Sequence, residues 1–109
     1  MPSKKPASSK RSPLPRAADY TKAFLKDWKR LERSGRYDMR RLKDAMLLLI
    51  ANDGPLASEW SDHPLVGNWE GCRECHVGGD FLLIYRLAEA SSGSLIVFVR
   101  AGTHAELFE

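Results

Sequence analysis

Halfway along the chain the spacing of apolar residues changes period, and that change dictates the layout. From Ala18 onward, Tyr20, Phe24, Trp28 and Leu31 recur at helical spacing, and the segment stops at Ser34-Gly35, where glycine tolerates the left-handed conformation. Asp38 then offers an N-cap, Met39, Leu42, Met46 and Leu49 continue the same period, and Gly54-Pro55 ends it. The spacing predicts a helical hairpin. After a polar linker holding Trp60, Asp62 and His63, the pattern becomes strand-like over residues 68–77, 80–87 and 94–101. Gly78-Gly79 is a two-residue hairpin signal, and the AEASSG stretch before Ser94 reads as a longer loop. Three strands in an antiparallel meander must bury one face, and the helical hairpin is what can cover it. The expected class is α+β, a helical hairpin packed on a small antiparallel sheet.

A chain of 109 residues supports one such core, which excludes a multidomain enzyme with a large cofactor domain of its own. The longest apolar run, Ala45 to Ala51, is far short of the roughly 20 residues of a membrane-spanning helix. Residues 1–12, rich in Pro, Ser, Lys and Ala, cannot bury enough apolar surface to offset ordering entropy and are expected to form a disordered basic arm before a single domain at 13–109. Leu14 to Ala17 is a candidate short edge strand, since Pro13 and Pro15 lack the donor that a central strand uses. The basic start has no apolar stretch behind it, so it is not expected to act as a secretory signal, and a cytoplasmic address is expected.

The net charge of +3 hides an asymmetry. Residues 1–17 carry +5, residues 18–43 carry another +5, and residues 44–109 carry −7. A basic front half on an otherwise acidic small domain suits a surface that tracks phosphates, although a solvated helix face gives the same count.

The local string Cys72-Arg73-Glu74-Cys75-His76 matches the C-x-x-C-H pattern of haem attachment. Haem attachment occurs outside the reducing cytoplasm, and strand alternation would put Cys72 and Cys75 on opposite faces. As zinc ligands, Cys72, Cys75 and His76 lack a second paired knuckle. Two free thiols in a strand is the preferred reading. All three histidines, His63, His76 and His104, fall in the second half near the ends of expected elements, with Asp80 and Arg100 nearby. If both hairpin loops are symmetric, His76 pairs with Phe81 and Phe81 with Arg100, which puts the three in one row on one face. His104 and Phe108 share a face if the tail forms a helical turn; alternatively Leu107 and Phe108 only pin the C-terminus.

The segment DHPLVGNWEGCRECHVGGDFLLIYRL, followed by VRAGTHAELF, closely resembles the YafQ branch of the RelE/ParE toxin superfamily, the ribosome-dependent mRNA interferases of bacterial toxin–antitoxin pairs. The likeness runs from about Tyr20 to Phe108. Its strongest parts are HPL at His63, the G-x-R-E-x-H string ending at His76, the strand opening at Asp80, and R-x-G-T-H-x-x-L-F from Arg100. The resemblance implies the RelE-like, microbial RNase-like fold. It implies His63, His76, Asp80 and His104 as the acid–base set, with Arg100, Phe81 and Phe108 on the RNA. Three positions depart from the pattern: Phe81 stands where relatives commonly have Trp, Gly79 where Pro is usual, and Cys72 where Tyr is frequent.

The implied chemistry is attack of a ribose 2′-hydroxyl on its own adjacent phosphate, with no metal or other cofactor required. A base takes the 2′ proton, an acid protonates the departing 5′-oxygen, and a cation stabilises the phosphorane. His104 is the expected acid, His76 or His63 the base, Asp80 an orienting group and Arg100 the phosphate partner. In this reading the ribosome aligns the message, and Lys22, Lys26, Lys29, Arg30, Arg33, Arg40 and Arg41 contact rRNA phosphates. A cognate antitoxin is the implied protein partner. Two other classes stay open: a ParE-like poison of DNA gyrase, and an RNA-binding domain without catalysis.

Overall fold

The computed structural model describes residues 14–52, 56–90 and 93–108; the basic arm at 1–12 and the Gly54-Pro55 stop lie outside them. The chain runs β1 (Ala17–Tyr20), α1 (Lys22–Ser34), α2 (Met39–Ala51), β2 (His63–Pro64), β3 (Arg73–Gly78), β4 (Phe81–Ala90), β5 (Gly93–Gly102) and α3 (His104–Phe108). Single 3-10 turns at Ser58–Trp60 and Gly67–Trp69 flank β2.

Each long helix begins on the side chain that its sequence offers. Thr21 Oγ1 accepts from the Phe24 N–H at 2.9 Å and donates to the Val99 carbonyl at 2.7 Å, which caps α1 and ties its start to β5. Asp38 accepts from the Arg41 N–H at 3.0 Å and opens α2. Gly35 ends α1 at φ 70°, and Asn52 ends α2 at φ 58°. Phe24 and Leu31 of α1 and Leu42, Ala45 and Leu49 of α2 are buried against one face of the sheet.

The sheet order is β1-β5-β4-β3-β2. The expected meander is its centre, with β3, β4 and β5 antiparallel. Two edges differ from expectation. The N-terminal strand falls at Ala17–Tyr20 and pairs parallel with β5, so Tyr20 ends a strand and α1 starts at Lys22, not near Ala18. His63 and Pro64 add a two-residue strand against β3.

Both hairpins are shifted from their symmetric registers. Gly78 pairs with Phe81 and His76 with Leu82, with a bulge between His76 and Gly78; Gly79, at φ 53°, supplies the left-handed turn residue. β4 runs on to Ala90, which pairs with Gly93, and a second irregularity sets Ile84 opposite Arg100. The row His76–Phe81–Arg100 therefore does not form. Because side chains alternate with period two, a one-residue slip moves Phe81 to the helix-covered face. There Cys75, Val77, Phe81, Leu83, Tyr85, Ile96 and Phe98 join the main core. On the outer face, Leu82, Ile84 and Leu107 form a smaller cluster with Leu65, Trp69, Cys72 and Val99. Cys72 and Cys75 thus lie on opposite faces. No helix among the described residues is long and apolar enough to cross a membrane.

Candidate active site

The outer face of β2 and β3 carries a carboxylate shared by two imidazoles. His63 is the cross-strand partner of Glu74, and Glu74 and His76 alternate onto the same face of β3. Glu74 Oε2 lies 3.1 Å from His63 Nε2 and 3.3 Å from His76 Nε2. Glu74 is only 2% exposed, and among the described residues nothing hydrogen-bonds to its Oε1. Both ring nitrogens of His63 face oxygens, since Nδ1 is 3.1 Å from the Pro64 carbonyl.

His104 comes from the other end of the sheet. It opens α3, and its Nδ1 and backbone nitrogen lie 2.8 and 3.2 Å from Asp80 Oδ1 in the β3–β4 turn. The hydrogen bonds from His104, side chain first, hold the Asp80 carboxyl below its ordinary range. With Nδ1 engaged, His104 Nε2 is the nitrogen left for a ligand. The three rings stand in series: His63 to His76 is 6.0 Å between centroids, and His76 to His104 is 6.4 Å. All three remain partly exposed.

Phe108 packs 5.5 Å from His104, and Trp69 meets Phe108 edge-on at 5.7 Å. These two rings wall the site beside His104. Glu74 and Trp69 are absent from the sequence-derived set. Alternation from His76 was a signal for Glu74, whereas Trp69 reaches the site through a 3-10 turn that carries no periodic pattern.

Two expected RNA contacts lie elsewhere. Phe81 is 5% exposed and packs on Tyr37 with centroids 5.0 Å apart, on the helix side of the sheet; the β3–β4 bulge put it there. Arg100 turns toward α1, donating through Nε at 2.6 Å and Nη2 at 3.1 Å to the buried Asp27 carboxylate. Burial pushes the Asp27 carboxyl up, but hydrogen bonds from Arg100, Arg30 and the Ala101 N–H outweigh it and hold the group below its ordinary value.

The basic face also divides. Lys22, Lys26, Lys29, Arg33 and Arg40 are exposed, and Lys26, Lys29, Arg30, Arg33 and Ser34 line a shallow depression of about 410 Å³. Arg30 is engaged by Asp27 and Glu106. Arg41 donates to the Val77 carbonyl and Glu59 and lies 4.1 Å above the Trp60 ring. These two guanidiniums are engaged by other groups of the chain while staying partly exposed.

For a metal, His63, Glu74 and His76 present donor atoms within 4.8 Å of one another. Two imidazoles and a carboxylate suit a divalent transition ion, yet shared protons account for the same contacts. Cys75 is not among the donors, and burial pushes its thiol up to about 12.

The two long helices cover one face of a five-stranded sheet and the histidines cluster on the other, an α+β architecture shared with small bacterial toxins. The profile of YafQ, a bacterial toxin of type II toxin–antitoxin systems, matches residues 16–109. The mRNA interferase toxin YafQ of Escherichia coli strain K12 is 43% identical over 95 residues, 87% of this chain and 98% of the relative. The crystal structure of the E. coli DinJ-YafQ toxin–antitoxin complex matches with a TM-score of 0.76 at 43% identity, covering 88% of this chain and 100% of that one. The YoeB/ParE toxin from Agrobacterium tumefaciens shares the fold, with a TM-score of 0.66 at 17% identity over 81% of this chain and 98% of that one. The chain belongs to the YafQ family of bacterial toxins.

Proposed function

We propose that this chain is an mRNA interferase that cleaves messages on the ribosome by metal-independent attack of a ribose 2′-hydroxyl on the adjacent phosphate. One observation above all supports it: imidazoles from three separate segments, two of them sharing the buried Glu74 carboxylate, stand within 6.4 Å of their neighbours. The 2′-hydroxyl proton goes to one imidazole, the 5′-oxygen takes a proton from another, and the products are a 2′,3′-cyclic phosphate and a 5′-hydroxyl.

His76 suits the base. A proton on Nε2 toward Glu74 leaves Nδ1 with a free lone pair. His104 suits the acid, with Asp80 fixing its Nδ1–H and Nε2 offered to the leaving oxygen. His63, whose ring nitrogens both face acceptors, suits the cation beside the phosphorane, the role first expected of Arg100. Trp69 and Phe108 offer stacking surface to a base. Aligning a flexible message in-line is worth many orders of magnitude in rate, and the decoding ribosome supplies that alignment. The exposed Lys22, Lys26, Lys29, Arg33 and Arg40 then bind rRNA phosphates. This places the action in the cytoplasm, with a cognate antitoxin as the restraining partner, as in the DinJ-YafQ complex.

The test is a purified translation system with message ends mapped by primer extension. Cleavage within codons that disappears with His104→Ala supports the interferase. Intact message with loss of supercoiling in a parallel gyrase assay supports the gyrase poison instead, and neither effect supports plain RNA binding.

A further inference from the structure

α3 has five residues, too few to hold a helical conformation by itself. Its first residue is His104, so whatever fixes this turn also fixes the ring.

Side chains of α3 and of the distant α1 do so together. Thr103 and Glu106 close a capping box: Glu106 Oε1 accepts from the Thr103 N–H at 2.9 Å, and Thr103 Oγ1 accepts from the Glu106 N–H at 3.2 Å. The same Glu106 oxygen accepts from Arg30 Nη2 at 3.2 Å, and Arg30 Nη1 donates to Asp27 Oδ1 at 2.7 Å. Asp27 is 2% exposed and also holds the end of β5, through Arg100 and through the Ala101 N–H at 3.0 Å. The Arg30–Glu106 pair lies over Gly102. A Cβ there would meet Glu106 Oε1 at 2.6 Å and Arg30 Nη2 at 3.1 Å, so any side chain would displace the ion pair.

We propose that Asp27, Arg30 and Glu106 are positioning residues for His104, a relay that clamps α3 to α1 across Gly102. Among the described residues no hydrogen bond or ion pair joins any of the three to a histidine ring, and none is a catalytic residue. The relay gives the buried acid of the basic helix a purpose. It also makes Arg100 part of the clamp, with its guanidinium held by Asp27. Its bearing on rate rests on His104 being a proton-transfer group, as proposed above. A misplacement of about 1 Å at such a group can cost about a hundredfold in rate.

The test uses Glu106, which is partly exposed, so its removal leaves the core intact. Steady-state cleavage of programmed ribosomes and the NMR signals of the His104 ring are followed in parallel. Glu106→Ala, which removes both the capping box and the ion pair with Arg30, is expected to lower kcat by about 10- to 100-fold with KM within about twofold, and to shift the His104 ring signals. Glu106→Gln keeps the capping acceptor and is expected to recover most of the rate. In Asp27→Asn/Glu106→Ala the two effects do not multiply, because both substitutions break one relay. Wild-type kcat and unshifted His104 signals in Glu106→Ala overturn the relay, as does a lowered melting temperature alone. If His104→Ala cleaves normally, the functional reading fails, and the ring signals still decide whether Glu106 sets the ring.

Discussion

Glu74 and Asp27 are both buried acids, yet they do different things. Glu74 shares one oxygen between two imidazoles, and among the described residues none pairs with the other, an arrangement that core stability does not favour. Glu74→Gln removes the charge but keeps the shape. It is expected to lower kcat by about 10²-fold, the scale of a disturbed proton-transfer group, with the melting temperature held or raised; paired kinetics and thermal unfolding check this. Asp27 is fully paired, and Asp27→Ala is expected to cost about 3–5 kcal/mol because it strands two guanidiniums. Its folded-state pKa lies below its unfolded one, so its stabilisation is present above the unfolded value of 3.8 and fades as pH falls through the folded value. Urea unfolding at neutral and acidic pH should show wild type losing more stability in acid than Asp27→Asn does. Charge counting along the chain exposed neither acid, since it treats every carboxylate as solvated. Strand alternation from His76 would have reached Glu74; nothing in α1 marks Asp27 except its place on the apolar stripe with Phe24 and Leu31.

At the scale of elements, both long helices and the three-strand meander were legible because each keeps one hydrophobic period and has its own caps. The parallel pairing of β1 was not, since that edge is set by contact with a strand about eighty positions later. Register was the other casualty. One bulge before Gly79 turned Phe81 from the site into the core, and no local signal distinguishes a bulged Gly-Gly hairpin from a symmetric one. The two aromatic positions should therefore respond in opposite ways. Phe81→Ala is expected to cost about 3–5 kcal/mol of stability through the cavity it leaves. Phe108→Ala should weaken RNA engagement by about 1–3 kcal/mol with little change in stability, since Phe108 is exposed, whereas Trp69→Ala should do the same and also loosen the outer cluster it packs on. Thermal unfolding and single-turnover titrations on programmed ribosomes separate the two cases.

Across the described residues, the histidines and the exposed lysines of α1 occupy different surfaces. The outer sheet face holds the imidazoles, while α1 displays Lys26, Lys29 and Arg33 around a shallow depression, and the Arg30–Glu106 ion pair joins that helix to α3. Replacing Lys26, Lys29 and Arg33 together by Gln should weaken ribosome binding and flatten its salt dependence by about 0.7–0.9 in log–log slope for each phosphate that is no longer neutralised. Cleavage is expected to persist in EDTA and to fall when zinc is added, since His63, Glu74 and His76 offer that ion three donors. The most direct measurement replaces the ribose at a mapped cleavage site with a single 2′-deoxyribose in an otherwise unchanged message on the ribosome. The account predicts that cleavage at that site is abolished, while the unmodified message yields a 2′,3′-cyclic phosphate end; undiminished cleavage at the deoxy position would contradict it.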